Sequence, residues 1–277
     1  MPITDSQVHI WEVDRPDRPW PPNRNPAQLP NGFSAEQMLE QMDAAGVDRA
    51  VIVPPTYVGE MNDTAIEASQ AYPKRFAVMG RFDPQAPHAR ETLAGWLSQP
   101  HMLGIRMTFR IPPFNAWLDD GTLDWFFADC ERRGIPLMLL LPGLLDRLAA
   151  VAARHPGLTL IVDHMGVVPD SVVPEAFDKL HELEALARFQ NVWVKTSSAP
   201  CFSREAYPFA DLYPYLKRIY DAFGPRRLMW GADFTRLRGT YTECLRHFQE
   251  GLDFLTEEDK PWILGGNLAE ALNWPEA

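Results

Sequence analysis

The sequence has few cysteines, no long apolar run and no cluster of basic residues. Its three cysteines, Cys130, Cys201 and Cys244, lie far apart and form no CxxC pair. A disulfide framework or a thiolate zinc site is therefore not expected. No run reaches the roughly 18 apolar residues of a transmembrane helix, so no membrane partner is expected.

The charge pattern and the start of the chain narrow the class further. The net charge is −11 at pH 7 and the lysines and arginines are scattered, so nucleic acid is not an expected partner. Residues 1–5 lack the positive region and the apolar run of a signal peptide, and we expect a cytoplasmic location. A homo-oligomer is compatible with this sequence.

Eight short apolar runs recur along the chain, separated by segments with helical periodicity. They are Ile3–Trp11, Ala50–Pro54, Phe76–Phe82, Leu103–Phe109, Pro136–Leu141, Leu158–Val162, Val192–Thr196 and Arg227–Trp230. Most are rich in Val, Ile, Leu and Met without clear alternation, which is typical of parallel strands covered on both faces. The pattern predicts an α/β protein with a single (β/α)₈ TIM barrel over residues 1–277.

Helix signals support this alternation. Ser34-Ala-Glu-Gln37 is a capping box, and it predicts a helix from Ala35 to Ala45 that Gly46 ends. A helical segment begins near Thr122 and ends at Gly134. Further helices are predicted at Leu144–Arg154, Pro174–Ala187, Leu212–Phe223, Tyr241–Phe254 and, at the C-terminal end, over residues 256–274. The Pro-rich segment 14–32 after strand 1 is either a solvated loop or a lid or wall of a pocket.

The polar residues at the carboxyl ends of the predicted strands are the candidates for function, because the βα loops of such a barrel build the active site there. They are Asp5, Gln7 and His9 on strand 1, Arg106, Thr108 and Arg110 on strand 4, Asp163 and His164 after strand 6, Lys195 and Ser197 on strand 7, and Asp233 and Arg236 after strand 8. Asp5 and Asp163 can equally be buried structural carboxylates. A buried guanidinium such as that of Arg106 needs a carboxylate partner or an anionic ligand.

Five motifs carry a resemblance to a known family. They are Asp5-Ser-Gln-Val-His9-Ile-Trp11, Gly104-Ile-Arg106, Asp163-His164-Met-Gly166, Trp230-Gly-Ala-Asp233-Phe and Ile263-Leu-Gly-Gly-Asn267. In this order the set resembles the amidohydrolase-related family, specifically its branch of lactonases and decarboxylases acting on sugar-derived or aromatic-derived acids. The resemblance spans essentially the whole chain and implies an amidohydrolase-like barrel.

The resemblance also implies a metal site from which this sequence departs. Family members carry a His-x-His pair on strand 1, which with a strand-5 His and the strand-8 Asp can hold zinc or manganese. Here Gln7 replaces the first His and strand 5 has no His. The sequence therefore favours an enzyme without a cofactor, similar to the pyrone-dicarboxylate lactonases. The alternative is one divalent ion, Zn or Mn, held by His9, His164 and Asp233.

The expected activity is hydrolysis of a small anionic, carboxylated lactone or related cyclic ester. Asp233 is the expected base for water, with a pKa raised modestly by burial. His164, His9, Gln7 and Lys195 are the expected oxyanion donors. Arg106, with Arg110 or Arg236, is expected to bind a substrate carboxylate, and Trp11, Tyr57 and Trp117 to form either an aromatic wall or ordinary packing.

Two other functions are compatible with the same residues. One is a metal-dependent, non-oxidative decarboxylase of an aromatic or enoic acid. The other is a barrel that has lost catalysis and binds a small ligand. Asp233, His164 and Arg106 argue against the second, because a decayed site has no physical need for costly polar groups at strand ends.

Overall fold

The computed structural model describes residues 1–22, 27–110 and 112–274. Eight parallel strands follow one another around a sheet in chain order. They are β1 (Thr4–Val8), β2 (Arg49–Ile52), β3 (Phe76–Arg81), β4 (Met102–Thr108), β5 (Leu137–Leu140), β6 (Leu160–Val162), β7 (Val192–Lys195) and β8 (Leu228–Met229). Each lies within the run that predicts it or extends one residue beyond it, and the expected barrel is confirmed.

Helices separate the strands. They are α1 (Ala35–Ala45), α2 (Asp63–Ala71), α3 (Ala89–Ala94), α4 (Asp124–Arg133), α5 (Leu145–Arg154), α6 (Leu180–Leu186), α7 (Tyr213–Phe223), α8 (Tyr241–Arg246) and α9 (Asn267–Ala271). The predicted capping box begins α1: the Ser34 side chain accepts from the Gln37 backbone, and the Gln37 side chain accepts from the Ser34 backbone. Helices α2 and α3 were not predicted from the sequence.

The predicted C-terminal helix over 256–274 is shorter in the structure. Residues 256–259 form a turn in which Thr256 and Asp259 exchange hydrogen bonds. The helix that follows contains a π-helical turn over Trp262–Gly266, where Gly265 adopts an extended φ of 177°. The bend brings Gly265 against the backbone of Pro2. Similarly, the helix predicted to reach Phe254 is α-helical only to Arg246 and continues as a π-helical turn.

The first and last strands meet at a seam that nearly closes the barrel. The Ser6 amide donates to the Trp230 carbonyl oxygen at 3.2 Å, and the Asp233 amide donates to the Gln7 carbonyl oxygen at 2.9 Å. The Asp5 carboxylate lies beneath this seam and accepts from the Gln7 and Ala232 amides. Asp5 is therefore a structural carboxylate, and its burial raises its pKa to about 7 against the opposing effect of these hydrogen bonds.

Two apolar clusters flank the sheet. The larger one lies between strands and helices. The smaller one lies inside the barrel, where Met79, Met138 and Ile161 pack with residues of α9. Helix α9 lies at the amino ends of the strands. The side-chain amide of Asn267 donates to the carbonyl oxygen of Leu228, the first residue of β8, at 2.7 Å. At the carboxyl ends of the strands, the barrel is covered by loops.

The loop predicted at 14–32 is described except for residues 23–26, which lie outside the described residues. Its described part passes over the carboxyl end of the barrel, where Gln28 contributes to a cavity wall. The interpretation of this segment as a pocket wall is therefore supported. Within the described part of the chain, no helix is long and apolar enough to cross a membrane.

Gly104 in β4 provides a test of strand packing. A Cβ at this position would overlap the carbonyl oxygen of Pro136 and approach the Met79 methyl group. We expect Gly104→Ala to lower the free energy of unfolding by about 1–3 kcal/mol, because the neighbouring backbone has to shift. Urea denaturation measures this change.

Gly95→Ala is the matched control, because a Cβ at Gly95 meets nothing within 4 Å. Its effect should stay within about 0.5 kcal/mol. Equal stability of the two variants would contradict the described packing of β4.

Candidate active site

A cavity of about 490 Å³ opens at the carboxyl end of the barrel. Its wall contains residues from the ends of several strands and from the loops that follow them. They include Gln7, His9, Tyr57, Arg81, Arg106, Thr108, Arg110, Trp117, His164, Asp170, Asp233 and Arg236. Seven of the nine predicted site residues are therefore brought together here, and Lys195 and Trp11 are the exceptions.

Three residues at or next to this cavity have left-handed backbone. His164, Ser198 and Asp233 have φ values of 50°, 60° and 55°. They lie two, three and four residues after the ends of β6, β7 and β8, where the chain turns away from the sheet. Residues other than glycine adopt this region at a cost, although His and Asp are among the types found there most often. The turns direct the three side chains toward the barrel axis.

The amide nitrogen of Gln7 lies at the centre of the site. Gln7 Nε2 donates to Asp233 Oδ1 at 3.0 Å. The same nitrogen lies 3.4 Å from His9 Nε2 and 3.3 Å from His164 Nε2. Four polar groups from β1, the β6 turn and the β8 turn therefore converge on one point.

Lys195 fixes the orientation of this amide. Its Nζ donates to Gln7 Oε1 and, at 2.9 Å, to Asp163 Oδ1. An ammonium group has donors only, so the Gln7 oxygen must face Lys195 and the Gln7 nitrogen must face the histidines. Lys195 is fully buried and does not line the cavity. It acts on the site through Gln7.

Asp163 pairs with two buried cations. Arg106 Nε donates to Asp163 Oδ2 at 3.0 Å, while Lys195 donates to Oδ1. Burial opposes ionisation of Asp163, but the two cations outweigh it and bring its pKa to about 2. Burial lowers the pKa of Lys195, and Asp163 opposes that shift. The requirement that Arg106 have a carboxylate partner is thus met inside the protein.

Asp233 is the most heavily bonded carboxylate of the site. His9 Nε2 lies 2.9 Å from its Oδ1, and the Ser198 hydroxyl donates to its Oδ2 at 2.5 Å. Burial by itself raises the pKa of Asp233. The effects of His164, His9 and Ser198 together outweigh burial and hold that pKa well below its usual range. The expectation of a modestly raised pKa was therefore wrong, because it considered burial without these partners.

The two histidines are held differently. His9 Nδ1 lies 2.5 Å from the Val53 carbonyl oxygen, which can only accept, so Nδ1 carries a proton. Its Nε2 lies 2.9 Å from Asp233 Oδ1. His164 Nδ1 instead contacts the Ser197 hydroxyl at 2.8 Å. Burial lowers the pKa of His164 to about 4, so this ring is neutral at pH 7.

Two arginines and one exposed acid lie together in the outer part of the cavity. Arg236 bonds Asp170 at 3.0 Å, and Arg110 lies 3.9 Å from the same carboxylate. Two guanidinium groups thus share one exposed acid, and both remain partly accessible. Arg81 lies deeper in the wall and donates to the Thr108 hydroxyl at 3.4 Å.

Trp11 lies behind the cavity wall. Its ring packs edge-on against Tyr57, with centroids 5.4 Å apart, and it does not line the cavity. Tyr57 and Trp117 do line it. Ser198 and Arg81 were not singled out from the sequence. The Ser197-Ser198 pair directly after a strand with a buried Lys is a signal that could have indicated the first of these.

The fold and this cavity together define a class: a parallel α/β barrel with a His, Asp and Arg site at the carboxyl ends of its strands. The sequence model of the amidohydrolase family matches residues 4–274. The chain belongs to the amidohydrolase family. The predicted resemblance and the assignment as a hydrolase are thereby confirmed.

Similar proteins extend over nearly the whole chain. An L-fucono-1,5-lactonase of Burkholderia ambifaria is 27% identical over 274 residues, covering 95% of this chain and 92% of that protein. A 4-sulfomuconolactone hydrolase of Hydrogenophaga intermedia is 24% identical, covering 92% and 83%. The crystal structure of a zinc-bound amidohydrolase from Burkholderia multivorans has a TM-score of 0.84 at 22% identity, covering 99% and 100%.

The donor set of this chain does not fit the metal ion that the fold family implies. Among the described residues, no group of three or more His, Cys, Asp or Glu side chains is arranged to hold a metal. The point where His9, His164 and Asp233 converge is occupied by the Gln7 amide nitrogen.

Lys195→Met tests the support of this site. The substitution removes a buried charge partner of Asp163 and the group that orients Gln7. We expect the free energy of unfolding to fall by about 3–5 kcal/mol, as when one member of a buried ion pair is deleted. Chemical denaturation at pH 7 measures this loss.

Lys217→Met on α7 is the control, because Lys217 pairs with Asp221 at the surface. Exposed pairs contribute about 0–1 kcal/mol. If Lys195→Met were as stable as this control, the assigned role of Lys195 would have to be abandoned.

Proposed function

We propose that this protein hydrolyses a small anionic, carboxylated lactone by attack of water that Asp233 activates, without a metal ion. One observation carries the proposal: the Gln7 amide, oriented by Lys195, points its nitrogen at His9, His164 and Asp233. A hydrogen-bond donor of the protein thus stands at the point where the carbonyl group of a substrate has to be polarised. The lactone-hydrolase names of two relatives support the choice of substrate class.

Asp233 accepts the proton of the attacking water in this proposal. Its low pKa keeps it ionised at neutral pH, so the acceptor is always available. The same low pKa makes it a weak base, and proton transfer therefore has to accompany attack on the carbonyl carbon rather than precede it. Neutral His164, whose Nε2 lies 3.7 Å from Asp233 Oδ2, accepts the second hydrogen bond of that water.

Ring opening then returns the proton. Attack of the water oxygen on the carbonyl carbon gives a tetrahedral adduct, with negative charge on the former carbonyl oxygen. The Gln7 amide donates to that oxygen, and Lys195 strengthens the donor by drawing charge toward Gln7 Oε1. The bond between the carbonyl carbon and the ring oxygen breaks, and protonated Asp233 gives its proton to the leaving alkoxide. The product is a hydroxy acid.

Arg110 and Arg236 bind the carboxylate of the substrate. They share only Asp170, which is 77% exposed, so an incoming carboxylate can replace it or join it. Bidentate guanidinium contacts fix both the position and the orientation of such a group. Arg106 is engaged with Asp163 and serves mainly to hold the floor of the cavity.

A panel of lactones tests the proposed function directly. The purified protein is assayed against a carboxylated lactone and a neutral polyhydroxylated 1,5-lactone, each with and without a chelator. We expect the carboxylated lactone to have the higher kcat/KM, because of the two arginines, and we expect the chelator to leave its rate unchanged. Proton release on ring opening gives the rate.

Each other outcome rejects a part of the proposal. Turnover of the neutral lactone alone would exclude the anionic substrate. Activity that the chelator removes and zinc restores would exclude the metal-free route. No turnover of either lactone would reject lactone hydrolysis.

Asp233→Asn tests the base. We expect normal folding, because the amide keeps the shape of the carboxylate, and a fall in kcat of about 10²–10⁴-fold, since the proton acceptor is lost. Asp221→Asn, at an exposed position on α7, is the control and should keep full activity. Wild-type turnover by Asp233→Asn on the active lactone would refute the assignment.

A further inference from the structure

Tyr57 has a buried hydroxyl group that makes no hydrogen bond to the described residues. Its oxygen is shielded from solvent and contacts no hydrogen-bond partner among the described residues. The residue lies in the turn Thr56–Val58 after β2 and lines the cavity. Leaving a buried donor without a partner is costly, and such groups are rare in folded proteins. The arrangement calls for an acceptor that a ligand brings.

The ring of Tyr57 is held in place on both sides. Trp11 contacts it edge-on at 5.4 Å between centroids, and Trp20 contacts it at 5.1 Å with an interplanar angle of 39°. The packing therefore determines where the hydroxyl points before any ligand binds. The ring is thus preorganised, and only the groups that shield its oxygen have to shift for a ligand to reach it.

The hydroxyl is also close enough to the reacting groups to feel their charge. Burial, followed by the negative charge of Asp233, raises the pKa of Tyr57 well above its usual range. The phenol therefore stays protonated and acts as a donor at every pH at which Asp233 is ionised. Because Tyr57 and Asp233 line the same cavity, a substrate held there can bring the acceptor.

The other donors near this point already have partners. Both hydrogens of the Gln7 amide face Asp233 and the two histidines. Lys195 is bound to Gln7 and Asp163 below the cavity. Each of these groups has to give up a contact to bind an oxyanion, whereas Tyr57 has none to give up.

We propose that Tyr57 is a catalytic residue that donates a hydrogen bond to the carbonyl oxygen of the lactone as that oxygen becomes negatively charged. This inference rests on the proposed lactone hydrolysis. It adds a second oxyanion donor to Gln7 and changes the role of Tyr57 from aromatic wall to transition-state stabiliser. No proton is transferred from the phenol, so the atoms of the hydrolysis balance as before.

Tyr57→Phe tests this role because it deletes one oxygen atom and keeps the ring against Trp11 and Trp20. On the lactone that the wild-type protein hydrolyses, kcat should fall by about 10²–10³-fold, as for other single oxyanion donors. KM should change by less than about twofold, because the contact strengthens only in the transition state. Steady-state kinetics at pH 7 separates the two constants.

Thermal unfolding of the same variant gives an independent readout. Since the hydroxyl is unsatisfied in the free protein, its removal should leave Tm equal or raise it. A Tm lower by several degrees would mean that the hydroxyl has a structural partner, and the inference would fail. Tyr215→Phe, a matched change on α7 where the ring stacks on Phe177, should alter neither kcat nor Tm.

The kinetic outcomes separate this inference from the proposed function. If the wild-type protein hydrolyses a lactone and Tyr57→Phe keeps its kcat, the inference alone is overturned. A raised KM with unchanged kcat also overturns it, because Tyr57 would then bind the substrate and the transition state equally. If the wild-type protein hydrolyses no lactone in the panel, both proposals fall together.

Discussion

The site depends on one buried ammonium group. Lys195 has no access to solvent, so its charge requires the Asp163 carboxylate and its remaining donors require the Gln7 oxygen. The contact with the Gln7 oxygen determines the orientation of the Gln7 side-chain amide. The amide nitrogen therefore lies next to His9, His164 and Asp233. A charge that never touches the cavity thereby organises the groups that do.

The polar residues of the barrel form two layers with separate tasks. Arg106, at the floor of the cavity, and Lys195, below it, both bond Asp163. Above them, Asp233 and Tyr57 face the space where a substrate lies. Burying the charged groups of the lower layer has an unfavourable desolvation free energy. In return, these groups hold the residues of the upper layer in fixed positions. The same division separates Asp163, which pairs with buried cations, from Asp233, for which we propose a part in catalysis.

The sequence predicted the strands well because burial on both faces leaves a local composition signal. It also placed Gln7, His164 and Asp233 at one end of the barrel, since parallel strands bring their carboxyl ends together. Two features could not be predicted from the local sequence pattern. One is the lowered pKa of Asp233, which requires His9 and Ser198 beside it. The other is helices α2 and α3, which are short and only weakly amphipathic.

The seam between β1 and β8 has a consequence for how the protein is made. Gln7 and Asp233 are bonded through their backbones across that seam, although 226 positions separate them in the chain. During translation, β1 leaves the ribosome long before β8 has been synthesised. The residues of β1 and of the β8 turn that line the cavity therefore stay apart until β8 is made. Loop closure over such a distance is slow. The site is therefore not assembled in a nascent chain. It forms only when β8 pairs with β1 and closes the barrel.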